Sequence, residues 1–121
     1  RPPMVFGTGS QVRDFVYVKD AVEVCLYFMD QPRAAGLFNV GTGKARSWID
    51  LTNAVFAAMG KPPKVQFIEM PDVLRAKYQY HTQADVTKLR QAGFGAAFTS
   101  IEDGVKDYVQ GWLVSPGALP V

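Results

Sequence analysis

The sequence predicts an α/β fold, and three observations carry that reading. Short β-branched and aromatic runs recur at 15–18, 37–40 and 65–70, amphipathic stretches with capping residues alternate with them, and glycine or proline clusters mark the boundaries. At 121 residues the chain is long enough for one domain and a modest core. No internal repeat or low-complexity segment interrupts it.

Taken in order, Gly7-Thr8-Gly9-Ser10 has the composition of a loop whose backbone amides approach a ligand. Phe15–Val18 reads as a strand, with Arg13, Phe15 and Tyr17 on one face and Asp14, Val16 and Val18 on the other. Asp20, followed by Glu23, reads as a helix start; Val22, Cys25, Leu26 and Met29 then keep helical spacing until Gln31-Pro32. Leu37–Val40 reads as a short buried strand and Gly41-Thr42-Gly43 as a turn. Ser47 with Asp50 caps a helix that runs through Met59 and stops at Gly60.

Lys61-Pro62-Pro63 imposes an extended link into a strand at Val65–Met70, which Pro71 ends. Thr82 and Asp85 read as the cap of a third helix that Gly93 closes. Thr99 with Glu102 has the capping-box pattern before a stripe of Ile101, Val105, Tyr108, Val109 and Trp112. Residues 1–114 are therefore expected to be structured and 115–121 to form a loose tail. Three short strands make a thin sheet, so Leu37–Val40 is expected to join strands supplied from outside this chain. Isolation would then expose an apolar edge.

Charge and composition exclude several functions. Thirteen basic and eleven acidic residues, a net charge of +2, are dispersed without the basic block of a nucleic-acid arm. Cys25 is the only cysteine, which excludes a disulfide framework; among Val24, Leu26 and Phe28 it reads as a buried small hydrophobe in a reducing compartment. No apolar run reaches the ~18 residues of a membrane span and no secretion signal opens the chain, so the expected location is cytoplasmic. Arg1-Pro2-Pro3-Met4 leads straight into patterned sequence, which suggests a start within a longer polypeptide.

Among the motifs, Gly41-Thr42-Gly43 between a strand and a helix approaches a dinucleotide fingerprint, with Glu69 near the ribose-binding position. Arg46 stands where the third glycine should be, which favours a structural turn. Arg13 beside a glycine-, serine- and threonine-containing loop suits a phosphate; a structural pair with a carboxylate accounts for it equally. Tyr78 follows Arg75 and Lys77 and could face an anion, though a solvated loop explains the same charges. His81 lacks co-ligands and reads as helix-start packing, and Trp48, Phe56 and Trp112 read as core. No Ser-His-Asp set, carboxylate pair or Walker loop can be assembled, and no catalytic or metal residue is assigned. The residues alone stop at a phosphate-binding α/β fragment.

Three segments add a resemblance: Arg13-Asp14-Phe15-Val16-Tyr17-Val18, Phe38-Asn39-Val40-Gly41-Thr42-Gly43-Lys44-Ala45-Arg46-Ser47, and Tyr78-Gln79-Tyr80-His81-Thr82-Gln83-Ala84-Asp85. Together they resemble the C-terminal part of extended short-chain dehydrogenase/reductases. The third, with Leu89-Arg90-Gln91-Ala92-Gly93, resembles the ADP-L-glycero-D-manno-heptose 6-epimerase family in particular.

That resemblance implies NADP bound on an N-terminal Rossmann domain absent from this chain, an ADP-sugar substrate, a homo-oligomer, and inversion of heptose C6 for lipopolysaccharide core assembly. The family's Tyr-x-x-x-Lys pair has no counterpart here, because Tyr27, Tyr78, Tyr80 and Tyr108 all lack the following lysine. Substrate binding does carry over, to Val5, Phe6, Gly7, Thr8, Arg13 and Tyr78. The loop around Phe6 and Gly7 departs from the family's phenylalanine-acid-glycine order. Two alternatives stand beside this reading: another nucleotide-sugar epimerase or dehydratase, and a non-catalytic nucleotide-binding module.

Overall fold

A computed structural model describes residues 2–114, and the expectation for a loose tail at 115–121 lies outside the described residues. Strand β1 (Met4–Phe6) pairs in parallel with β4 (Gln66–Ile68), in the register Val5 opposite Phe67. Strand β2 (Val12–Arg13) pairs antiparallel with β3 (Arg46–Ser47), and 80–84 runs beside β2 through a bridge from Val12 to His81. The expected α/β class is observed, built from two two-stranded pieces rather than one thin sheet.

Helix α1 (Val18–Met29) follows β2, and α2 (Trp48–Ala58) follows β3 directly. Short helices α3 (Asp72–Arg75) and α4 (Thr87–Gln91) precede α5 (Ile101–Tyr108), which continues into a π-helical turn at Val109–Leu113. The Ser47 cap is present in both directions: Ser47 Oγ accepts from the Asp50 amide, and Asp50 accepts from the Ser47 amide, each at 3.0 Å. At the other end, Gln110 donates to the Ala58 carbonyl at 3.0 Å, tying α2 to the end of α5.

The core has two parts. Val24, Leu89 and Phe94 are buried together, with Tyr27, Phe28, Val86 and Phe98 packed around them. Elsewhere Ala54 and Ala58 of α2 and Ile101 and Val109 near α5 are buried, where small residues let α2 and α5 approach. Gly104 lets α5 approach Tyr17 at the start of α1, since a Cβ there would lie 3.2 Å from the Tyr17 ring.

Several local expectations are corrected. Phe15–Val18 is not a strand; pairing stops at Arg13 because Asp14 turns away to receive hydrogen bonds from other segments, and α1 begins at Val18. Asp20 caps no amide of its own helix and instead accepts from the Thr99 amide and hydroxyl at 2.7 and 2.9 Å. Leu37–Val40 is not a buried strand. Leu37 is 90% exposed, and its carbonyl is held by Lys88 Nζ at 2.7 Å, a contact no strand pattern encodes.

Thr82 does not cap a helix, since 82–84 runs extended beside β2; Asp85 accepts from the Thr87 amide, and α4 starts there. The cap of α5 is Ser100, one residue after the expected Thr99, and Glu102 pairs with Arg46 instead of closing a box. Cys25 is exposed rather than buried, Trp112 is 40% exposed, and His81 is exposed at the β2 bridge rather than packed at a helix start. No helix among the described residues is long and apolar enough to cross a membrane.

Candidate functional site

Parallel pairing with β4 fixes the segment that carries the first expected site residues. The Gly7 amide donates to the Ile68 carbonyl at 2.8 Å, and the Gly9 amide returns to the Phe6 carbonyl at 3.0 Å, closing a tight turn over Phe6–Gly9. Gly7 and Gly9 adopt φ of 57° and 69°, in the left-handed region that favours glycine. The turn exposes Gly7 and Thr8, leaves Phe6 half-buried and sinks Val5 into the core at 8% exposure.

Arg13 and Tyr78, remote in sequence, meet. The Arg13 guanidinium carbon lies 5.1 Å from the centre of the Tyr78 ring, and Phe6 meets the same ring edge-on at 6.0 Å. A guanidinium over an aromatic face is held electrostatically while its fork stays able to bind an anion. Arg13 Nη1 donates to the Val12 carbonyl at 2.8 Å. Among the described residues Arg13 enters no ion pair, so the alternative of a structural carboxylate partner is not what its contacts show.

Directly across the β2–β3 ribbon from Arg13 stands Arg46. Facing like charges are unfavourable, and here they are resolved by divergence: Arg13 stacks on Tyr78 while Arg46 pairs with Asp50 at 3.2 Å and with Glu102. Hydrogen bonding to Glu102, against the opposing effect of burial, holds Arg46 firmly charged. Beside the cluster, Val5, Phe6, Trp48, Thr52 and Tyr78 line a recess of about 250 Å³.

Trp48, expected as plain core, is thus a wall of this recess and also meets Phe15 edge-on at 5.1 Å. The signal that could have placed it was the Ser47 cap, which starts α2 at Trp48 beside the strand bearing Arg13.

Asp14 is the structural residue that sequence reasoning missed. Its carboxylate accepts from the Thr42 amide (2.8 Å), the Thr42 hydroxyl (2.6 Å), the Gly43 amide (2.9 Å) and the Ala84 amide (3.1 Å). Burial works to raise its pKa, but the Thr42, Ala84 and Gly43 hydrogen bonds outweigh that and hold it below the ordinary carboxylate value. One side chain therefore clamps β2, the Gly41–Gly43 turn and the segment after Tyr78.

The same contacts test the Gly41–Gly43 turn as a place for a dinucleotide. Its Thr42 and Gly43 amides are spent on Asp14, and a Cβ on Gly41 would sit 2.7 Å from Asp14 and from Ala84. The turn does not fit a cofactor phosphate. Among the described residues there is also no cluster of His, Cys, Asp and Glu that could hold a metal.

Comparison with known proteins agrees with the motif resemblance. A family model described as the NAD dependent epimerase/dehydratase family matches residues 1–41. An ADP-L-glycero-D-manno-heptose-6-epimerase from Nitratidesulfovibrio vulgaris (strain DP4) is 51% identical over 110 residues, covering 91% of this chain and 34% of that protein. The solved Helicobacter pylori ADP-L-glycero-D-manno-heptose-6-epimerase superposes with a TM-score of 0.74 at 28% identity, over 91% of this chain and 32% of that one. The Thermotoga maritima UDP-glucose 4-epimerase structure, with UDP-glucose, gives a TM-score of 0.73 at 26% identity, over 91% and 34%. The chain thus spans about a third of the length of the relatives it matches.

Proposed function

We propose that this chain, related to the NAD-dependent epimerases and dehydratases, is the C-terminal substrate-binding portion of an ADP-glyceromanno-heptose 6-epimerase. The complete enzyme would interconvert ADP-D-glycero-D-manno-heptose and its L-glycero epimer for lipopolysaccharide core biosynthesis. Such a protein works in the cytoplasm as a homo-oligomer, with NADP held by polypeptide beyond these 121 residues. NADP, when bound, would supply hydride chemistry at C6. The residues in hand bind and orient.

The observation that carries this reading is the stacking of Arg13 on Tyr78 with Phe6 at the ring edge. The fork of Arg13 suits the diphosphate through charge-assisted bonds, and the rings of Phe6 and Tyr78 offer faces to the nucleoside. Gly7 and Thr8, exposed on the turn, add an uncrowded backbone and a hydroxyl. Val5, being buried, acts by holding the turn on β4.

Two measurements test it. The full-length protein with NADP should interconvert the two C6 epimers, whereas the 121-residue chain alone should show no turnover. In the full-length protein, Arg13→Ala should weaken ADP-sugar binding by about 1.5 to 3 kcal/mol, roughly ten- to 150-fold, with the urea midpoint little changed. Unchanged binding with lowered stability would assign Arg13 to the scaffold.

A second reading, motivated by the superposition on UDP-glucose 4-epimerase, keeps the scaffold and changes the nucleotide sugar. A panel of ADP- and UDP-sugars separates the two. A non-catalytic nucleotide-binding module would instead bind ADP-sugar in the full-length protein without turnover.

A further inference from the structure

Between the Gly41–Gly43 turn and the start of α5 lies a cleft of about 370 Å³, separate from the Phe6, Arg13 and Tyr78 cluster. Lys44, Arg46 and Arg90 line it, and no acidic residue does. Arg46 is neutralised by Asp50 and Glu102. Lys44 and Arg90 enter no ion pair among the described residues, so two positive charges face the cleft without a counter-charge.

Arg90 is oriented in advance. Its Nη1 donates to the carbonyls of Phe94 and Ala96 at 2.9 and 2.6 Å, and its guanidinium carbon lies 5.1 Å from the Phe98 ring centre and 5.7 Å from that of Phe94. Carbonyls and ring faces fix the geometry but leave the full charge uncancelled. Lys44 is anchored at its backbone, where its amide donates to the Thr42 hydroxyl at 3.0 Å. Its ammonium is exposed.

Across the cleft, Ser100 Oγ accepts from the Asp103 amide at 3.2 Å, which leaves its hydroxyl hydrogen to donate. Phe15, Ala97 and Phe98 supply an apolar wall.

We infer that this cleft binds a phosphate monoester dianion, with Lys44 and Arg90 as its charge partners and Ser100 as a neutral donor. A dianion matches two uncompensated cations, and the apolar wall suits a short carbon skeleton attached to the phosphate. The inference does not rest on the role proposed for Arg13.

The test titrates the full-length protein with inorganic phosphate and with glycerol 3-phosphate, read by phosphorus NMR and by heat. Saturable binding should weaken at least about tenfold in Lys44→Gln, a substitution at an exposed side chain, and stay unchanged in Arg13→Ala. Glycerol 3-phosphate should bind tighter than inorganic phosphate, and equal or weaker binding of it overturns the monoester assignment. Absence of saturable binding, or binding equal in Lys44→Gln and the parent, overturns the assignment. So does binding lost in Arg13→Ala and kept in Lys44→Gln. Lys44→Gln should bind ADP-sugar like the parent, so failure at Arg13 and failure at Lys44 are read independently.

Discussion

Asp14 shows how much a single carboxylate can organise. Four donors from two remote segments converge on it, and an asparagine would turn one acceptor into a donor facing other donors. Asp14→Asn should cost about 2 kcal/mol at neutral pH, read from the urea midpoint. The pH dependence follows from the lowered pKa. A carboxylate whose folded pKa lies below its unfolded value of about 3.8 contributes stability above that value and loses it as pH falls through the folded pKa. Between pH 5 and pH 3 the parent should therefore lose more stability than Asp14→Asn. Asp50, Glu102 and Asp107 are lowered too, by the Ser47 amide, by Arg46 and by Lys19 respectively, so only this difference isolates Asp14.

At the scale of elements, α2 carries the clearest local signal. Its capping box satisfies amides that helix geometry leaves unpaired, and it starts the helix at the residue that walls the recess. Ser47→Ala should cost about 1 kcal/mol in denaturant unfolding. Because β3 ends at Ser47, the same change should loosen the ribbon holding Arg13 and speed amide exchange at Trp48 and Ile49, whose amides donate to the Gln11 and Gly9 carbonyls. Unaltered exchange at those amides would show that the cap serves the helix alone.

At the scale of the molecule, α1 has two apolar faces and covers only one. Val24, Tyr27 and Phe28 pack on Leu89 and Phe94, while Val18, Val22, Leu26 and Met29 are 60%, 49%, 47% and 76% exposed. These outward residues follow helical spacing, so they form a continuous stripe of the kind that drives association. This stripe lies on a helix and is distinct from the strand edge expected at Leu37–Val40, where Leu37 and Val40 are also exposed. The isolated chain should bind a hydrophobic dye and self-associate in sedimentation, and Val22→Glu with Leu26→Lys should suppress both. A dye-silent, monomeric parent chain would show that the stripe is harmless in water.

Much of the fold was legible because its signals are local. The α2 capping box, the glycine stops at Gly60 and Gly93 and the helical periods of α1 and α5 act within a few residues, where propensity and chain geometry decide. Segments whose partners are distant were misread: 15–18 and 37–40 have strand composition, but their backbones are held by side chains from elsewhere, and β-propensity expresses fit to neighbours more than an intrinsic preference. The site divides the same way. Residue chemistry offered Arg13 and Tyr78, each beside an equal structural reading, and Phe6 entered only through the family resemblance. Only the tertiary structure could bring Arg13 onto Tyr78, reveal Asp14 as the clamp and leave Lys44 and Arg90 without counter-charges, because these depend on which groups meet across tens of residues of chain.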